Sequence, residues 1–163
     1  MNKFDAYKMD GLGNDFIIFD KREKPILLSK NQIKKISNRN HTGCDQVIFI
    51  SKSKSGDPLI EFYNSDGGET AACGNGSRCV AYLLMKENNE KKITLRTKFG
   101  ILKAEINNEN LIKINMGSPN FEWHKIPLVK EMDNRNLKIK INNIDGKEVL
   151  GGFSLSVGNP HLI

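Results

Sequence analysis

A cysteine in a polar, glycine-rich segment is the feature of this sequence best suited to chemistry. Residues 64–72 are mostly polar residues and glycines that lead into Cys73, and an apolar stripe with helical spacing follows directly. The spacing predicts a helix over residues 75–86 with Cys73 at its start. Backbone N–H groups at a helix N-terminus lack internal partners and the helix dipole is positive there, so this position stabilises a thiolate. The same N–H groups can hold a carboxylate.

The three cysteines of the chain have different expected roles. A free cysteine is most often a small buried hydrophobe. Cys79 fits that description because it continues the apolar helical pattern, and Cys44 fits it because an apolar run follows. Cys73 differs because Gly74 and Gly76 follow it, and glycine lets a backbone approach a ligand closely. The sequence offers no packing reason for these glycines, so we expect Cys73 to act as a nucleophile or base.

Composition and charge exclude several classes of protein. The 163 residues are 38% hydrophobic and 27% charged, which is typical of a globular chain of one domain or slightly more. No apolar run approaches the roughly 20 residues of a membrane span, and no signal peptide is evident, so we expect a cytoplasmic protein without membrane contact. The net charge of +6 comes from scattered lysines with few interleaved aromatic residues, which argues against nucleic-acid binding.

Metal binding is not expected either. The three cysteines match no disulfide framework. His41 and Cys44 have a spacing that could share a zinc ion, but no second pair of ligands accompanies them.

The order of local patterns predicts an α+β fold. A second helix is expected to begin after Ser29 as N-cap and to end near Asn38. Residues 116–119 break the pattern and divide the chain into residues 1–117 and 118–163. Alternating or apolar runs predict strands at residues 4–9, 16–20, 47–51, 59–63, 93–97, 102–106, 111–115, 137–141 and 149–157.

Six motifs occur in the order and spacing found in diaminopimelate epimerases. They are Gly-Leu-Gly-Asn-Asp-Phe at 11–16, Asp-Gln at 45–46, Asn-Ser-Asp-Gly at 64–67, Ala-Cys-Gly-Asn-Gly-Ser-Arg-Cys at 72–79, Asn-Met-Gly at 115–117 and Gly-Asn-Pro-His at 158–161. One glycine motif alone would be weak, but six in order are specific, and the resemblance covers the whole chain. It implies a strongly curved mixed sheet around a central helix in each of two domains, with the active site in the cleft between them.

The resemblance also implies an activity and a set of site residues. The activity is epimerisation of LL-diaminopimelate to the meso isomer in lysine biosynthesis, without pyridoxal or any other cofactor. Cys73 matches one of two catalytic cysteines, and His161 matches a residue associated with tuning their acidity. Gly74 and Asn75 match the helix start that holds the reacting carboxylate. The matched substrate-binding amides are Asn14, Gln46, Asn64 and Asn159.

The departure from the family pattern is at the end of the chain. The second catalytic cysteine and a Glu-Arg pair of the family lie in the second domain, and this chain ends before them. We therefore expect residues 1–117 to form the first epimerase domain and residues 118–163 to be the opening strands of an incomplete second domain. A truncated form of this kind is expected to be inactive alone.

Two other functions stay open at this point. One is a racemase or epimerase of the same fold that acts on another amino acid, such as histidine. The other is a non-catalytic half that binds a ligand, which the missing cysteine makes credible. The partner is a small amino acid in the enzyme interpretations, and a homodimer is left open.

Overall fold

The computed structural model of the chain describes residues 3–71, 73–98, 100–107, 111–142 and 144–163. Ala72 of the glycine-rich motif lies outside these ranges. The chain divides into two compact units, Met1–Met116 and Gly117–Ile163. Assignment of these units to the first and second epimerase domains stays a prediction.

The first unit combines two α-helices with a mixed sheet. Its elements are β1 (Tyr7–Gly11), β2 (Asn14–Asp20), α1 (Lys30–Ser37), β3 (Gln46–Ser51), β4 (Leu59–Asn64), β5 (Glu69–Thr70), α2 (Gly74–Asn88), β6 (Lys92–Thr97), β7 (Gly100–Ile106) and β8 (Ile112–Asn115). Apart from the strand expected at residues 4–9, the expected strands and helices of this unit are confirmed to within a few residues, and the class is α+β. Neither helix is long and apolar enough to cross a membrane, within the part of the chain that the structure describes.

The sheet curls around α2. Its strand order is β1-β2-β3-β4-β6-β7-β8, with β5 paired to β4. A flat sheet of seven strands would be roughly 29 Å wide, whereas a helix with its side chains is about 10 Å across. Helix α2 nevertheless contacts both edge strands, β1 and β8, so the sheet must wrap around it.

Alternation along the strands separates two apolar cores. Even-numbered residues of β2 and β3, such as Phe16 and Ile48, face α2. Odd-numbered residues of the same strands, such as Ile17 and Val47, belong to a second cluster that includes Ile33 of α1. Both faces of these central strands are therefore covered by a helix.

The first hairpin differs from the expected strand at residues 4–9. Strand β1 lies at Tyr7–Gly11 and pairs with β2 from Tyr7↔Ile18 to Gly11↔Asn14. Only Leu12 and Gly13 form the turn, with positive φ angles of 51° and 86°. A two-residue turn of this type matches the twist of the strands, so pairing continues up to the turn. Asn14 consequently lies in a strand and not in a loop.

Side chains of the preceding residues cap both helices. Ser29 Oγ accepts a hydrogen bond from the Gln32 backbone N–H, and Gln32 Oε1 accepts one from the Ser29 backbone N–H. The expected N-cap is therefore confirmed, as part of a capping box. Helix α2 begins at Gly74, one residue before the expected start, with Cys73 as its N-cap.

The second unit consists of two short hairpins and a 3-10 turn at Trp123–Lys125. The strands are β9 (Lys140–Asn142), β10 (Glu148–Leu150), β11 (Ser154–Ser156) and β12 (Pro160–Leu162). The single strand expected at residues 149–157 is wrong, because Gly151 and Gly152 have φ angles of 104° and 151° that end β10 before β11 begins. The strand expected at 137–141 begins only at Lys140.

Candidate active site

Cys73 is part of the cap of α2. Its backbone is extended, with φ −137° and ψ 112°, and its Sγ accepts the Gly76 N–H at 3.4 Å. The Cys73 carbonyl accepts the Ser77 N–H at 2.8 Å. The thiol thus occupies the position that a serine or aspartate side chain usually takes at a helix start, next to the positive end of the dipole. Cys73 is half-buried.

The two glycines beside Asn75 have different roles. The expectation that neither has a packing reason is wrong for Gly76, where a Cβ would lie 2.8 Å from Ile48 Cδ1 and 3.3 Å from the rings of Phe16 and Phe62. Gly76 therefore lets α2 lie close against the sheet. At Gly74 the nearest neighbour of a Cβ would be 3.7 Å away, which is ordinary contact. The interpretation as a point of close ligand approach remains open for Gly74 alone.

The side-chain amides of Asn14 and Asn75, both expected to bind substrate, are hydrogen-bonded to each other near the start of α2. Asn75 Nδ2 donates to Asn14 Oδ1 at 2.7 Å. Asn14 Nδ2 donates to Asp45 Oδ2 at 3.2 Å, and Arg78 donates to Asn75 Oδ1. The amides therefore lie within one chain of polar side chains.

Gln46 and Asn64 form a second amide pair at the same end of the sheet as Asn14. Gln46 opens β3, which is parallel to β2, and the antiparallel register of β3 and β4 places Gln46 opposite Asn64. Gln46 Nε2 donates to Asn64 Oδ1 at 2.9 Å. Gln46 Oε1 is buried and accepts no hydrogen bond from the described residues. An unsatisfied buried acceptor of this kind is uncommon in folded proteins.

A group of charged side chains supports the Asn14 end of the site. Arg39 donates to both oxygens of Asp15 at 2.6 and 2.7 Å and to Asp45 Oδ1 at 2.8 Å. Lys8 pairs with Asp15 Oδ2 at 2.6 Å. The Arg39 hydrogen bonds, opposed by burial and assisted by Lys8, hold the pKa of the Asp15 carboxyl well below its usual range.

Sequence reasoning missed this charged support. Asp15 and Asp45 each adjoin a predicted amide in the sequence, and that adjacency was the available signal. Their shared partner Arg39 is 24 residues from Asp15 along the chain, so only the fold reveals it.

The expected packing roles of the other two cysteines are confirmed. Cys44 and Cys79 are 2% and 5% exposed. Burial raises the pKa of the Cys44 thiol and raises that of Cys79 to about 11. Cys79 Sγ donates to the Asp10 carbonyl at 3.5 Å.

Asn159 and His161 belong to the second unit. Asn159 lies in the turn of the β11–β12 hairpin and His161 lies in β12, with His161 Nε2 3.2 Å from Asn159 Oδ1. His161 is exposed and Asn159 is half-buried within this unit. In the described ranges, no three His, Cys, Asp or Glu side chains meet as a metal site would require.

The sequence matches one family of proteins over most of its length. The model of the family described as diaminopimelate epimerase matches residues 6–122. A diaminopimelate epimerase of Pelagibacter ubique is 50% identical over 158 residues, which cover 97% of this chain and 58% of that protein. One of Wolbachia from Drosophila simulans is 38% identical over 167 residues, which cover 99% of this chain and 59% of that protein. The chain thus spans less than two thirds of these relatives.

Solved structures share the fold at low sequence identity. A hydroxyproline epimerase from Agrobacterium vitis aligns with a TM-score of 0.59 and 14% identity over 96% of this chain and 50% of that chain. A Bacillus anthracis phenazine biosynthesis protein of the PhzF family aligns with a TM-score of 0.56 and 22% identity over 75% of this chain and 43% of that chain. At these identities the similarity supports the curved α+β fold alone.

Proposed function

Since the chain belongs to the diaminopimelate epimerase family, we propose that Cys73 is one of two cysteines that invert the α-carbon of diaminopimelate. The observation that carries this proposal is the position of Cys73 Sγ, which caps α2 at 3.4 Å from the Gly76 nitrogen. The chain spans 58% of its Pelagibacter relative, so the activity is proposed for the whole protein.

The reaction needs a base and an acid on opposite faces of one carbon. The Cys73 thiolate takes the α-proton and becomes a thiol, or in the reverse direction a Cys73 thiol gives its proton to the carbanion. The second cysteine does the opposite, so each turnover exchanges the protonation states of the two cysteines. Charge that develops on the substrate carboxylate is stabilised by the backbone N–H groups at Gly74 and Asn75.

The amides are proposed to hold the rest of the substrate. Asn14, Asn64 and Gln46 lie at one end of the sheet, where the hydrogen-bonded Gln46–Asn64 pair adds further amide groups for the substrate. Asn159 is proposed as a fourth substrate contact, and His161 as the residue that tunes the cysteines. We further propose that the enzyme works in the cytoplasm, in lysine biosynthesis.

We propose that the 163-residue chain does not invert its substrate alone. Cys79 is six residues beyond Cys73, or about 240° around a helix, and it is bonded to the Asp10 carbonyl. Cys44 is 2% exposed. Neither buried thiol can readily face Cys73 across a substrate.

Incubation with LL-diaminopimelate in D₂O tests these proposals. The chain alone should form no meso isomer, although slow α-deuteration with retention is compatible with Cys73 as a lone base. An extended protein, in which the remaining residues of the Pelagibacter relative follow Ile163, should form the deuterated meso isomer. Meso product from the chain alone would refute the need for a second cysteine. No exchange by the extended protein, together with inversion of another amino acid from a panel, would favour the alternative substrate.

A further inference from the structure

The side-chain amides of Asn14 and Asn75 lie at the start of α2, where either could rotate by 180° if nothing fixed it. We propose that Asp45 and Arg78 are positioning residues that fix both amides in one orientation, so that their remaining N–H groups favour a carboxylate beside Cys73. The proposed function supplies the identity of the acidic ligand, but the orientation follows from the geometry itself.

Arg78 and Asp45, at the two ends of this series of hydrogen bonds, fix its direction. Arg78 donates to Asn75 Oδ1, Asn75 Nδ2 donates to Asn14 Oδ1, and Asn14 Nδ2 donates to Asp45 Oδ2. A guanidinium can only donate and an ionised carboxylate can only accept. Rotation of either amide would therefore place two donors or two acceptors against each other.

Asp45 is itself held in place from two sides. Arg39 Nη2 donates to Asp45 Oδ1 at 2.8 Å, and the Asp15 backbone N–H donates to Asp45 Oδ2 at 3.1 Å. The same Oδ2 accepts the Asn14 amide. The acceptor that orients Asn14 is therefore fixed to strand β2 and does not depend on the conformation of one exposed side chain.

The fixed direction has a chemical consequence. Both amide oxygens accept a hydrogen bond, whereas each nitrogen has a second hydrogen that no bond among the described residues uses. Asn75 is the second residue of α2, so its amide, with the Asn14 amide bonded to it, lies near the backbone donors of the first turn. Such a set of donors fits a carboxylate better than an ammonium group.

Two alkylating agents of nearly equal size provide the test. Iodoacetate carries a carboxylate and iodoacetamide does not, so the ratio of their rates at Cys73 measures preference for an anion. The 163-residue chain is used, and peptide mass spectrometry assigns the label to Cys73. Turnover is not needed, so failure of the epimerase assay and failure of this proposal are distinguishable.

Replacement of Asp45 separates positioning from simple electrostatics. Removal of a negative charge should by itself raise the preference for iodoacetate. We expect Asp45→Ala instead to lower the ratio about fivefold, roughly the effect of one oriented hydrogen bond. Asp45→Asn should keep at least the wild-type ratio, because its oxygen can still accept from Asn14 while Arg39, which is exposed, turns away.

Two neutral replacements of Arg78 form an independent pair. Both variants lose the positive charge of the guanidinium, but Arg78→Gln keeps a hydrogen-bond donor for Asn75 and Arg78→Met does not. The ratio of the iodoacetate rate to the iodoacetamide rate at Cys73 should therefore be higher for Arg78→Gln. Asp20→Ala, at the other end of β2, is the control and should leave the ratio unchanged.

The outcomes are decisive in either direction. A ratio for Asp45→Ala equal to or above that of the wild type would overturn the proposal, as would equal ratios for the two Arg78 variants. A lower ratio for Asp45→Ala with recovery in Asp45→Asn would support it. If Asp45→Ala fails to fold, as judged by circular dichroism, the Arg78 pair decides alone.

Discussion

The two ends of α2 carry different kinds of polar surface. At the N-terminal end are a half-buried thiol, glycines and amides with unused hydrogen-bonding capacity. At the C-terminal end is a groove of about 820 Å³ whose lining is charged. Its charges are largely paired with one another or with neighbours, as in Lys52–Glu23 at 2.8 Å, Arg22–Glu87 at 2.6 Å and Lys92–Glu105 at 3.6 Å.

The larger cavity and the residues suited to chemistry thus lie at opposite ends of the helix. None of the residues expected to act on substrate lines the groove. Exposed ion pairs of this kind contribute little to stability. The N-terminal end combines the positive end of the helix dipole, the backbone N–H groups of a first helical turn and a thiol, which is why the proposed chemistry is assigned there.

The largest expected effect is loss of inversion on replacement of the thiol. In the extended protein, Cys73→Ala should lower the rate of meso-diaminopimelate formation about 10³-fold, because a general acid–base group is lost. Its free energy of unfolding should fall by only about 1 kcal/mol, the usual cost of losing an N-cap acceptor, so the protein stays folded. Glu87→Gln, at the other end of α2, should retain the wild-type rate. Near-normal turnover by Cys73→Ala would remove the catalytic distinction between the two ends.

Alkylation of the folded 163-residue chain should distinguish the cysteines on α2. At pH 8 a thiol with a pKa of about 11 is ionised to about one part in a thousand, so Cys79 should react slowly. Burial likewise protects Cys44. Iodoacetamide should therefore label Cys73 first, as followed by peptide mass spectrometry. Equal rates at the three cysteines would contradict this order, and denaturation should make the rates similar.

Alanine substitutions of Gly74 and Gly76 test whether these two glycines at the N-terminal end of α2 differ in packing. Gly76→Ala should lower the free energy of unfolding by about 1–3 kcal/mol, because the Cβ would be forced against Ile48 and two rings. Gly74→Ala should be neutral or stabilising by up to about 1 kcal/mol, because alanine favours helix and the new Cβ would make only an ordinary contact. Urea denaturation measures both. A similar cost at both positions would refute the assigned packing difference.

The smallest effect concerns acid stability at the two ends of β2. Hydrogen bonds from Arg39 lower the pKa of Asp15. Burial alone would raise the pKa of Asp20, but the hydrogen bonds from Arg22 outweigh burial, so the pKa of Asp20 is also lowered. An Asp whose pKa is lower in the folded state than in the unfolded state, where it is about 3.9, stabilises the fold at pH values above about 3.9. This stabilisation is lost as the pH falls through the pKa of the folded state.

Asp15→Asn and Asp20→Asn should therefore each reduce the loss of stability between pH 7 and pH 3. The change in the urea midpoint measures this loss. Each effect should correspond to about 1 kcal/mol or less, because these ion pairs are partly exposed. An unchanged pH dependence in both variants would show that neither ion pair contributes to acid stability.

Local patterns in the sequence were sufficient for most elements of the first unit. Apolar runs predict the central strands, and helical spacing after Cys73 predicts α2 to within two residues at its C-terminal end. Ser29 was identified as a cap because capping involves residues within one turn. The second unit was less predictable, since its apolar stretch after Val149 is interrupted by the backbone conformations of Gly151 and Gly152.

Each motif, and the place of Cys73 at a helix start, can be recognised from neighbours a few residues apart in the sequence. The packing role of Gly76 and the hydrogen bond from Asn75 to Asn14, 61 residues away, are visible only in the folded chain. Sheet register and the curvature around α2 bring these groups together. Neither the register nor the curvature is encoded in the spacing of any single motif.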